Sequence, residues 1–165
     1  MAEYLHSEVV GSNDQVVALG PQPVESEIKL APGPLGDYAR SYTADAVARD
    51  TPGEPDRLFI KLHHIRGNQG ACIFDVSVSV PGAAAGPAIV GSLALFGIEY
   101  ASDKANEHGG SGLTKTFEIT EEIDPYLPEL KQAGRIVVGI SPRGNLGPND
   151  HVTVDKIDIC RLSVK

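Results

Sequence analysis

Phe74-Asp75-Val76-Ser77-Val78-Ser79-Val80 decides how this chain folds. Phe74, Val76, Val78 and Val80 fall on one parity, and Asp75, Ser77 and Ser79 on the other. Successive side chains of a strand point to opposite faces, so this is a strand with one core face and one wet face. Upstream, Leu58, Ile60 and Leu62 alternate with Phe59, Lys61 and His63 in the same way, after which Arg66-Gly67-Asn68-Gln69-Gly70 makes a turn. Downstream, Gly91 to Ile98, Leu113 to Thr120, Arg135 to Ser141 and His151 to Val164 read as further strands. Near the start, Gln15 to Leu19 and Val24 to Leu30 are short strands joined by the turn Gly20-Pro21-Gln22-Pro23.

The rest is punctuation. Ala31 to Pro55 opens and closes on Pro/Gly clusters and reads as a long connection crossing the molecule. Glu121 to Ala133 is the best short helix: acids sit near its start, Gly134 stops it, and Pro128 limits it to little more than a turn. In the last strand Ile157 and Ile159 share a face while Leu162 and Val164 have the opposite parity. One extra residue near Cys160-Arg161 would restore the core face, so a β-bulge is expected there.

Composition agrees. The chain has 165 residues, enough for one domain, with 18 Gly and 12 Pro for turns, 5% aromatics and no Trp. Its apolar mass is Val, Ile, Leu and Ala, which favours an all-β fold: an antiparallel β-sandwich, jelly-roll-like, with one or two short helices. Residues 1–165 are read as a single domain. A net charge of −8 argues against nucleic acid, whose phosphates would repel it. No apolar run approaches a membrane span, and no signal peptide is visible at the start, so the compartment stays open, with cytoplasmic as the default expectation.

The chemistry-bearing residues give no catalytic centre. His63 and His64 are adjacent and would point to opposite faces of an unbroken strand. A bulge could bring them together, but the simpler reading exposes one and packs the other at the strand end. His6, His108 and His151 are scattered, and no pair has ligand spacing on a helix. No metal and no cofactor are expected. Cys72 and Cys160 read as small buried hydrophobes, with a disulfide or metal pair as the other option. His108-Gly109-Gly110-Ser111-Gly112-Leu113-Thr114-Lys115-Thr116 lacks the Gly-Lys-Ser/Thr order and the following helix of a phosphate loop. No Gly-x-Ser-x-Gly elbow is present. Glu118, Glu121, Glu122 and Asp124 read as a solvated edge and helix start, and Asp150, Asp155 and Asp158 as outward strand and turn residues. No catalytic residue is assigned.

The order of segments carries a resemblance. Leu58-Phe59-Ile60-Lys61-Leu62-His63-His64-Ile65-Arg66-Gly67 precedes Phe74-Asp75-Val76-Ser77-Val78. Val90-Gly91-Ser92-Leu93-Ala94-Leu95-Phe96-Gly97, Leu113-Thr114-Lys115-Thr116-Phe117-Glu118-Ile119-Thr120 and Ile136-Val137-Val138-Gly139-Ile140-Ser141-Pro142-Arg143-Gly144 follow. This series resembles the C-terminal domain of tyrosinases and polyphenol oxidases, marked by a Lys-Phe-Asp-Val motif in which Ile73 here replaces the Lys. The best match runs over residues 57–165. The resemblance implies a non-catalytic sandwich that covers the dicopper site of a latent phenol oxidase, the copper-binding histidines lying in a separate catalytic domain. The expected partner is such a catalytic domain, in cis or in trans. A plug for its mouth is expected on the loops Pro81 to Val90 or Glu99 to Gly112, with Ile89 or Leu113 as the apolar tip. The rival reading is an independent interaction or structural sandwich that associates with itself or with another protein. A sugar-binding module is a third, weakened by the shortage of aromatics.

Overall fold

The computed structural model describes residues 5–33, 56–68, 72–105, 110–144 and 146–164. The strands are β1 (Leu5–Asn13), β2 (Val17–Leu19), β3 (Val24–Lys29), β4 (Arg57–Gly67), β5 (Ile73–Ser79), β6 (Ala88–Ala94), β7 (Leu113–Glu118), β8 (Arg135–Pro142) and β9 (Val152–Val164). They form two antiparallel sheets. The front sheet has the order β1-β9-β4-β7, with β2 also pairing β9; the back sheet has the order β3-β8-β5-β6. This is the expected all-β sandwich. Most of the long connection, residues 34–55, lies outside the described residues.

The core sits where alternation placed it. Phe74, Val76 and Val78 of β5 and Ile136, Val138 and Ile140 of β8 point inward from the back sheet, and all are buried. Leu58, Ile60 and Leu62 of β4 meet them from the front, beside Ile157 and Ile159 of β9. Each such side chain contributes about 1.5–3 kcal/mol of burial. Along one side the sheets are tied by the Gly11–Leu30 bridge and by the Ala31 N–H donating to the Val10 carbonyl. Along the other side the Phe117 ring packs where Gly91 has no side chain; a Cβ there would lie 2.6 Å from the ring.

The structure corrects the expected bulge in the last strand. β9 keeps an unbroken register against β4 from Arg57–Leu162 to Leu62–Ile157, so no residue is inserted at Cys160-Arg161. The extra residue at that level is in β1, where the register shifts between Val9 and Gly11. Leu162 stays on the outer face and Arg161 turns inward. There its guanidinium meets the Asp56 carboxylate at 2.5 Å and that of Glu8 at 3.2 Å. The parity change in β9 comes earlier, between buried Val154 and buried Ile157, opposite a matching change in β4 between Leu62 and Ile65.

Two helical expectations also shift. The strand read as Gly91 to Ile98 ends at Ala94, and Ile98–Ser102 forms a short helix, α1. The segment after β7 is broken into α2 (Thr120–Ile123), a 3-10 turn (Asp124–Tyr126) and α3 (Leu127–Ala133). Pro128 opens α3 rather than ending a helix, because a first-turn residue needs no amide donor.

Candidate functional site

Phe96 is the most exposed large apolar side chain among those described, at 93%. It occupies a tight turn between β6 and α1. The Ile98 N–H donates to the Leu95 carbonyl at 3.0 Å, and Gly97 has φ 81 and ψ 6. Those angles are the third position of a type II turn, which glycine adopts without steric cost. Leu95 and Ile98 on either side are fully buried. The turn is therefore anchored at both ends while its ring points away from the core.

Further bonds fix the base of this turn. The Ser102 hydroxyl donates to the Ile98 carbonyl at 2.6 Å and accepts from the Gly67 N–H at 3.0 Å, tying α1 to the end of β4. The Gly112 N–H donates to the Ala101 carbonyl at 3.0 Å. Arg66 donates to the Gly110 carbonyl at 2.6 Å and pairs with Asp155 at 2.5 Å. His64 Nδ1 donates to the Ser111 carbonyl at 2.7 Å. Tyr100, 66% exposed on α1, adds a second ring to the same end of the sandwich.

The adjacent histidines do sit at an irregularity, since His64 has φ 51 and the β4–β7 register shifts there. Their rings nonetheless serve different partners. His63 Nε2 lies 2.8 Å from Asp158 Oδ2, while His64 reaches Ser111. Asp158 faces outward from β9 yet is only 3% exposed. It also accepts a short hydrogen bond from the Ser12 hydroxyl, and the Lys156 ammonium lies 3.6 Å away. Ser12 and His63 thus both bind the carboxylate and not each other. A hydroxyl activated by a histidine requires those two groups in contact, so this cluster is not a nucleophilic triad.

The remaining sequence candidates are dispersed. Ile89 is 65% exposed on β6, opposite Ser77 on the outer face of the back sheet. Leu113 is half-buried and packs against the core at the start of β7. Cys72 and Cys160 are unpaired thiols, each pushed above the usual cysteine range chiefly by burial. His108 lies outside the described residues. Among the described residues, no three His, Cys, Asp or Glu side chains converge as metal ligands, and no helix is long and apolar enough to cross a membrane. Glu121 and Glu122 line a cleft with Ala83, Ala85, Pro125 and Tyr126 at the opposite end from Phe96. Sequence reading missed Phe96 because it sits inside an apolar run; Gly97, isolated in a strand pattern, was the available signal for a break there.

Comparison with solved structures shows where this fold recurs. The chain is similar to part of latent apple tyrosinase, with a TM-score of 0.51 at 16% identity over 88% of this chain and 27% of that one. A latent aurone synthase (polyphenol oxidase) matches at a TM-score of 0.48 and 16% identity, over 89% of this chain and 26% of that one. The chain thus spans about a quarter of the length of either. No curated protein matches by sequence. A family model, described as a domain of unknown function, DUF7868, matches residues 6–162, and the chain belongs to that family.

Proposed function

We propose that this sandwich is a shielding domain for a tyrosinase-like dicopper phenol oxidase, covering its active site in the latent state. The observation that carries the reading is the doubly anchored turn that presents Phe96. A bulky apolar ring on a doubly anchored support suits the stoppering of a narrow phenol-binding mouth, because little entropy remains to be lost on docking. The fold shared with part of latent apple tyrosinase supports the same reading. The chemistry belongs to the partner, and this chain supplies shape.

Phe96 is the leading plug. Ile89 is the alternative tip, exposed on the same strand-and-turn unit; Leu113 is weaker because part of its surface is already committed to the core. Ile89 lies five residues, roughly 17 Å, from the end of β6 at Ala94, and Phe96 lies beyond that end in the turn, so one mouth admits one of them. The test is to add the purified chain to an active tyrosinase catalytic domain and follow diphenol oxidation. Inhibition supports shielding, and absence of binding at high micromolar concentration contradicts it.

A second reading, an independent interaction sandwich, draws on β6. Its sequence Ala88-Ile89-Val90-Gly91-Ser92-Leu93-Ala94 carries no charge, and uncharged edge strands invite pairing. Concentration-dependent dimerisation in sedimentation, with no effect on a phenol oxidase, would favour it.

A further inference from the structure

We propose that the groove on the outer face of the front sheet binds a small aromatic carboxylate. It has a volume of about 200 Å³ and is lined by Ser7, Phe59, Lys61, Thr116, Cys160 and Leu162. The register places these side by side: Phe59 opposite Cys160, Lys61 opposite Thr116, and Ser7 opposite Leu162. Phe59, Cys160 and Leu162 make an apolar floor, and Lys61, Ser7 and Thr116 a polar rim. An apolar lining with a few convergent polar groups is the usual make-up of a small-molecule site.

Charge selects the ligand. Of the cations on this face, Arg57 is held by Glu118 at 2.6 Å and stands over the Phe59 ring, 5.3 Å from its centroid, which leaves the edge and other face of that ring to the groove; Lys156 lies within 4 Å of Asp14 and Asp158. Lys61 forms no ion pair with the described residues, so its ammonium is left for an anion. Asp158, across the strand from Lys61, would repel an anion. Its charge is already engaged by Ser12, His63 and Lys156. Phe59 and Lys61 stand two residues apart on one face, about 7 Å, so one ring bearing a carboxylate reaches both. This inference is independent of the shielding reading.

The test is a titration of the isotopically labelled chain with benzoate, followed by amide chemical shifts. Saturable shifts confined to the neighbourhood of residues 7, 59–61, 116 and 160–162 are expected, with a Kd of about 1 mM for so small a ligand. Benzamide and acetate should bind more weakly, one lacking the charge and the other the ring. Lys61→Gln, on a solvent-facing position, should keep the native spectrum and weaken benzoate about three- to fivefold. Absence of saturation by about 20 mM, shifts that acetate reproduces, or an affinity indifferent to Lys61→Gln would each overturn the proposal.

Discussion

Replacing Phe96 by alanine should separate the stability of this sandwich from the proposed shielding. The ring is 93% exposed, so the folded state loses almost no packing, and the unfolding free energy should stay within about 0.5 kcal/mol of wild type. Alanine also fits the second position of the turn, while Gly97 still supplies the positive φ. Docking is a different matter. A phenyl ring that goes from water into an apolar mouth gains about 1.5–3 kcal/mol. Its removal should therefore weaken inhibition of the catalytic domain about 10- to 150-fold. The assay pairs urea unfolding with an inhibition titration on diphenol oxidation. Unchanged inhibition by a folded variant would refute Phe96 as the plug and turn attention to Ile89. A loss of more than about 1 kcal/mol in stability would show that the turn is not anchored as described.

Other perturbations probe the scaffold. Arg161→Ala removes the guanidinium that pairs with the nearly buried Asp56 carboxylate, whose side chain is 10% exposed, and with Glu8, and should cost about 2–3 kcal/mol by urea unfolding. Gly112→Ala forces a Cβ to within 2.5 Å of the Ile65 carbonyl oxygen at φ +78; a loss of about 2 kcal/mol or more is expected in thermal melts. The Arg57 guanidinium holds the Glu118 carboxyl below the usual glutamate range, chiefly through their hydrogen bond. A lowered folded pKa means that the pair stabilises above the unfolded value, near 4.3, and that this is lost as pH falls through the folded one. A carboxyl titration by NMR should show Glu118 moving up toward that value in Arg57→Gln.

Sequence reading fared well where the two faces of a strand meet different surroundings. Phe74 to Val80 and Leu58 to Leu62 are such cases, and their buried parities came out as alternation implies. It failed where a non-local partner overrides local pattern. Arg161 points inward because Asp56 and Glu8, distant in sequence, await it, so Leu162 never needs a bulge to reach the core. His64 takes a positive φ, which its identity signals only weakly. Phe96 was hidden because Leu95 and Ile98, its neighbours in an apolar run, are buried while it is not. Hydrophobicity alone does not distinguish a residue facing the core from one turned out to solvent.

Kinetics of the wild-type chain with an active tyrosinase catalytic domain probe the shielding claim at its root. If the domain seals the substrate mouth, inhibition is competitive and rising diphenol concentration restores the full rate. Inhibition that no amount of diphenol relieves, or a rate untouched by saturating chain, would contradict it.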